Sequence, residues 1–250
     1  MRVRRSDGVA WVTLDNPPLN VLTAAVLGEL ADALGSLQAD RELRLIVLEG
    51  AGRVFSAGAD VGEHLGDLFA TLMDRFGRVA HALLESEVPT LAVVQGAALG
   101  GGCELAVLCD LVIAAEDARL GVPEITLGVV PPVAAALFPR VVGPQRAAGL
   151  ILTGTPVSGA EAAAWGLVWK SVPADRLRAE AEAIAATFAA RSAAALRLAR
   201  RALIAGRLPS LVAAVDAADE LSKEAVPAMA DAQEGLRAFL EKRPPRWVHR

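Results

Sequence analysis

The sequence predicts an α/β fold in which a spiral of ββα-like turns precedes a helical C-terminal region. Three observations predict it. Short apolar, β-branched runs start near Gly8, Leu45, Thr90 and Leu111, each bounded by turn residues. Between them lie longer stretches with apolar residues at helical spacing. From Ala134 onward the chain reads as mostly helical and rich in Ala, Leu and Arg.

Residues 8–14 have the β-branched content of a strand and end in Asp15-Asn16-Pro17-Pro18, a strong turn signal. Thr23 is placed to cap a helix running to about Ala39, with Val26, Leu27, Leu30, Ala31, Leu34 and Leu37 on its apolar side. A second strand follows at 45–50, and the small, polar segment 55–60 comes just where a strand has ended. Residues 67–87 read as a helix leading through Pro89 into a buried strand at 90–94. Leu105 to Cys109 read as a buried helix and 111–115 as another strand. Pro123 suits the first position of a short helix or turn, which puts Glu124 at its start. Residues 128–132 break the chain again. The helical remainder is interrupted near 154–156 and by a short strand at 167–172, and 175–208 reads as one long helical region. The uneven strand spacing gives no fixed repeat.

Hydrophobic residues make up 54% of the 250, aromatics only 4%, and there is no tyrosine. The core is therefore built from Ala, Val and Leu. A formal net charge of −4 argues against nucleic acid or an anionic membrane as partner. No charge-free apolar run reaches the roughly 18–20 residues of a membrane span, and the N-terminus lacks the apolar block of a signal peptide. The expectation is a soluble, cytoplasmic protein. Cys103 and Cys109, six apart and expected on one helix, would not share a face, so neither a disulfide nor a metal pair is expected. The apolar positions at 181–208 and 211–240 are more than one chain readily covers, which points to self-association.

Chemistry concentrates in Gln95-Gly96-Ala97-Ala98-Leu99-Gly100-Gly101-Gly102-Cys103-Glu104-Leu105. Three glycines between a strand and a helix let the backbone approach a ligand, and the helix's first N–H groups stabilise developing negative charge. Glu104, in the helix's first turn, stands where a proton-transferring carboxylate belongs. Tight helix-on-sheet packing with Glu104 as a dipole partner accounts for the same residues. The loop Ser56-Ala57-Gly58-Ala59-Asp60 offers a second set of backbone donors. If it meets the triple glycine, two N–H groups converge on one oxygen. Glu124 then supplies a second carboxylate, although a surface glutamate after a proline is the commoner arrangement.

Four pieces together resemble the enoyl-CoA hydratase/isomerase (crotonase) superfamily over essentially the whole chain. They are Phe55-Ser56-Ala57-Gly58-Ala59-Asp60, the segment 96–105, Pro123-Glu124-Ile125-Thr126-Leu127-Gly128, and the tail 235–243. The resemblance implies that the N–H groups of Ala59 and Gly101 hold a thioester oxygen and that Glu104 and Glu124 are the two carboxylates of a hydratase. It implies an acyl-CoA thioester substrate bordered by Ala57, Asp60 and Val61, with no metal and no separate cofactor. Phe239 and Lys242 match positions that approach the CoA of a neighbouring subunit, in a homo-trimer or hexamer. The implied division is a crotonase-like spiral core with the acyl-CoA site at 1–195 and a helical trimerisation region at 196–250.

One departure matters. Where most such hydratases have a glycine-rich turn after Gly128, this chain reads Val129-Val130-Pro131-Pro132. Pro132 removes a backbone donor near the water site and reshapes the acyl pocket. With Val61-Gly62-Glu63-His64 and the ending at 239–243, the chain looks most like the cyclohexa-1,5-diene-1-carbonyl-CoA hydratase branch. An enoyl-CoA isomerase using one glutamate, or a non-catalytic acyl-CoA-binding subunit, are the alternatives. His64 is expected to be an exposed loop histidine, and Trp165 and Trp169 to be packing residues.

Overall fold

The computed structural model describes residues 1–206 and 208–249. Strand β1 (Arg2–Ser6) pairs antiparallel with β2 (Val9–Leu14). From β2 the sheet grows in parallel through β3 (Leu45–Gly50), β4 (Thr90–Val94), β6 (Leu111–Ala115) and β9 (Lys170–Val172). A parallel strand covered on both faces needs apolar residues throughout, and all five of β4 are buried. A smaller sheet, in the order β5-β7-β8, is formed by β5 (Ala97–Leu99), β7 (Arg119–Gly121) and β8 (Val157–Ser158). The chain alternates between the two sheets as it advances, which gives the spiral.

Helices fill the turns of the spiral. In α1 (Ala24–Gln38) the Thr23 hydroxyl accepts from the Val26 N–H at 3.2 Å, as its sequence position requires. Helix α2 (Leu68–Leu84) packs Leu72, Phe76, Val79 and Leu83 into the core. The short α3 (Gly101–Val107) is buried along its whole length. Beyond it come α4 (Pro132–Val142), α5 (Pro144–Thr153), α6 (Gly159–Trp165), α7 (Leu177–Ala189), α8 (Ala193–Ala205), α9 (Leu208–Ala228) and α10 (Ala230–Leu240).

Several expectations need correction. The expected run 175–208 is two helices, because Ser192 ends the gap at 190–192 by capping α8. Position 195 lies inside α8, and Leu211 and Val215 of α9 belong to the same core cluster as the sheet. Cys109 lies beyond the end of α3 rather than on it; both cysteines are buried and free. Trp165 packs against the core under the Arg146 guanidinium, whereas Trp169 is 58% exposed. Among the described residues no helix is long and apolar enough to cross a membrane.

Candidate active site

The loop at 55–60 behaves as a strand fragment wedged between two neighbours. On one side Ser56 bridges Ala98 of β5: the Ser56 N–H donates to Ala97 O, and the Leu99 N–H donates to Ser56 O. On the other, Leu22 N–H donates to Gly58 O and Asp60 N–H to Leu22 O. This alternation leaves the N–H of Ala59 out of the pairing. Gly58, at φ +103°, lies so close to Leu99 that an added Cβ would stand 2.7 Å from its carbonyl oxygen. Sequence reasoning missed the residue that pins the loop from beneath. Buried Asn20 donates to the carbonyls of Ala51, Val54 and Phe55, while its own carbonyl accepts from the Ser56 hydroxyl at 2.7 Å.

The pinned loop faces the start of α3. A Cβ built on Gly101 would lie 3.5 Å from the Ala59 nitrogen, so the two backbones approach closely. The Gly101 N–H, at the first helical position, also stands outside the backbone hydrogen bonds of its neighbours, which run from Cys103 and Glu104 to Gly100 O.

Both glutamates converge on this spot. Glu104 is 3% exposed, and its Oε1 accepts from the Ala134 N–H at 2.8 Å. That donor belongs to the first turn of α4. Pro132, the first residue of α4, has no N–H, so the helix's first available amides are those of Val133 and Ala134. Burial pushes the Glu104 carboxyl pKa up; the amides of Ala134 and Val133 pull it back, and Asp219 on α9 adds a smaller upward push. Glu124 opens the 3₁₀ turn Pro123–Leu127 behind Pro123, as expected. Its residue is only half-buried, yet its Oε2 is enclosed and has no hydrogen-bond partner. Burial and then the charge of Glu104 raise its pKa. Gly100, at φ +53°, makes room for it, since a Cβ there would stand 2.6 Å from Glu124 Oε1. The pair is thus asymmetric in its partners: Glu104 accepts from a backbone amide, whereas the enclosed Glu124 Oε2 has none.

Ala59, Gly101, Glu104, Glu124 and Pro132 line one narrow cavity of about 30 Å³. This holds roughly two waters, and Phe69 and Met73 of α2 form part of its apolar wall. A larger cleft of about 420 Å³, beside Arg200 and Trp169, contains none of the predicted site residues. Ala57, Asp60 and Val61 lie half-buried on the loop bordering the cavity. Phe239 (56% exposed) and Lys242 stand at and beyond the end of α10, outside the cavity. His64 corrects an expectation, for it is half-buried and lines the cavity rather than facing solvent. Ser222 of α9, 2% exposed, lines it too. Among the described residues no cluster of three or more His, Cys, Asp or Glu is arranged to hold a metal ion.

A family model described as enoyl-CoA hydratase/isomerase matches residues 4–250. The chain belongs to the enoyl-CoA hydratase/isomerase family. Within it, the chain is 41% identical over 254 residues to a probable enoyl-CoA hydratase of Mycobacterium tuberculosis, covering 99% of this chain and 97% of that protein. It is 36% identical over 253 residues to the cyclohexa-1,5-dienecarbonyl-CoA hydratase of Thauera aromatica, covering 99% and 96%. The crystal structure of an enoyl-CoA hydratase from Mycobacterium avium subsp. paratuberculosis superposes with a TM-score of 0.89 at 33% identity, covering 99% and 98%.

Proposed function

We propose that this protein is an acyl-CoA hydratase that adds water across an α,β-unsaturated thioester, with a cyclic dienoyl group as its preferred acyl group. One observation carries the hydratase reading: two carboxylates, one held by a backbone amide and one with an unpartnered enclosed oxygen, meet at one cavity where the Ala59 and Gly101 backbones converge. The two N–H groups hold the thioester oxygen and draw electrons from the double bond. Ionised Glu104 takes a proton from water as its oxygen bonds to the β-carbon, or to the vinylogous carbon of a diene. The enolate then collapses and takes the proton of Glu124 at the α-carbon. Water is consumed whole, and a proton passing from Glu104 to Glu124 restores the starting state. The chemistry as written needs no metal and no cofactor beyond the CoA of the substrate.

The ring preference rests on Pro132. Its ring fixes φ and offers no N–H, and with Pro131 and Val129 it forms a stiff wall of the cavity. A flexible linear chain loses conformational freedom against such a wall, whereas a flat ring has less to lose. The Thauera aromatica relative is in keeping with this. Cyclohexa-1,5-diene-1-carbonyl-CoA should be hydrated with a higher kcat/KM than crotonyl-CoA, and Pro132→Gly should shift the preference toward the linear thioester. A wild-type preference for crotonyl-CoA, or an unmoved preference in the variant, defeats the ring assignment and leaves the hydratase standing.

The same reading carries a homo-trimer or hexamer. Leu198, Leu203, Leu221 and Leu240 are each 48–68% exposed on α8 to α10, and on this reading Phe239 and Lys242, outside their own subunit's cavity, meet a neighbouring subunit's CoA. A stable monomer at micromolar concentration in a sedimentation experiment would exclude it. An acyl-CoA substrate is in keeping with a cytoplasmic location.

A further inference from the structure

The acyl cavity is apolar on the side of α2 but carries two polar groups that the hydration mechanism does not use. His64 ends the 3₁₀ turn Gly62–His64, which is fastened at three points. Asp60 Oδ1 accepts from the Glu63 N–H at 3.0 Å, and Glu63 Oε2 accepts from the Ala24 N–H at 2.6 Å. His64 Nδ1 lies 2.7 Å from the Asp60 carbonyl oxygen. A carbonyl only accepts, so Nδ1 carries the hydrogen and Nε2 presents a bare lone pair. The ring is held against Phe69, with centroids 5.6 Å apart. Burial lowers the imidazole pKa against the opposing pull of the Asp60 carbonyl and of the Asp60 and Glu63 charges, so the neutral tautomer is the resident form. Nε2 has no hydrogen-bond partner among the described residues. Neither has the hydroxyl of Ser222, which reaches the same cavity from α9.

An acceptor fixed in place and a rotatable hydroxyl at the wall of one small cavity match a group that both donates and accepts a hydrogen bond. A ligand hydroxyl does both. We propose that His64 is a specificity residue of the acyl pocket, its Nε2 accepting a hydrogen bond from a hydroxyl on the acyl group while Ser222 donates to the same oxygen. Between two acyl groups of the same skeleton, the hydroxylated one is then preferred. This rests on the acyl-CoA reading of the site. It adds a polar requirement where hydrophobic burial alone would favour a methyl group in place of the hydroxyl.

Calorimetric binding of matched saturated acyl-CoA thioesters tests it without requiring turnover. Each pair differs only by a hydroxyl in place of a methyl, across a series of linear chain lengths and on a cyclohexane ring. The wild-type protein should bind the hydroxylated member at least about ten-fold more tightly in one or more pairs. That ratio should fall to one or below in His64→Phe and in His64→Leu, while His64→Gln, which keeps an acceptor, should retain part of it. No hydroxyl preference in any pair overturns the proposal, and so does a wild-type ratio persisting in either variant that lacks the acceptor. Hydration of the matching enoyl thioesters is read separately. Hydroxyl-selective binding without hydration sinks the hydratase reading alone, and hydration without selectivity sinks the role of His64 alone.

Discussion

Glu104→Gln and Glu124→Gln each lose about 10²–10⁴-fold of the hydration rate, the usual cost of removing one general acid or base, and both still bind acyl-CoA. The loss has a different origin in each. At position 104 the amide cannot take the water proton, although it can still accept from the Ala134 N–H. At position 124 the amide has the shape of the protonated acid but no proton acidic enough for the enolate carbon. Both substitutions should stabilise the fold at neutral pH. A carboxyl whose folded pKa is raised binds more protons folded than unfolded, so its contribution to stability is fully present below the ordinary carboxyl pKa and is lost as pH rises toward the raised value. Glutamine does not titrate and escapes that loss. The melting temperature of either variant should exceed that of the wild type at pH 8 by more than at pH 5. Equal differences at the two pH values would show that the carboxyls are not buried as described.

Gly101→Ala should cost about 10²–10³-fold in kcat, comparable to losing one oxyanion donor, without unfolding the protein. Gly101 stands at the first position of α3 with no strained φ, so alanine suits the backbone. Its methyl would lie 3.1 Å from the Phe76 ring and 3.5 Å from the Ala59 nitrogen. The aromatic ring can give by a few tenths of an ångström. If the proposed mechanism holds, the methyl takes up space in which the two N–H groups would hold the thioester oxygen. Near-wild-type kcat in a folded variant would remove the Ala59–Gly101 pair from the mechanism.

Which parts of this were legible in the sequence depended on whether the cause was local. The Thr23 cap, the buried strand 90–94 and the turn behind Pro123 each state their structure within a few residues. Strand β1 does not: Arg2, Arg4 and Arg5 leave it exposed on every residue, an edge strand recognisable only through its pairing with β2. Three-residue β5 becomes a strand only because Ser56 and β7 hold it. The break at 190–192 is hidden because alanine, favourable to helix, flanks it on both sides.

The site divides the same way. Glu104 and Glu124 were found through side chains in a motif. What makes them unequal is a backbone N–H thirty residues beyond Glu104, contributed by a helix whose proline-led start carries no signal of that use. His64 reads as a loop histidine until Phe69 of α2 and Ser222 of the distant α9 are seen around the same cavity. Burial created by elements far along the chain has no local signature.

If two carboxylates and two backbone donors add water whole to an acyl-CoA double bond, incubating an enoyl-CoA thioester with the protein in ¹⁸O-labelled deuterium oxide yields a hydroxyacyl product. That product carries one ¹⁸O on the β-carbon, or on its vinylogous equivalent in a diene, and one solvent deuteron placed by Glu124. Deuterium entering the acyl chain of an unsaturated thioester with no ¹⁸O incorporated would contradict it, because the site would then be shuttling a proton rather than adding water.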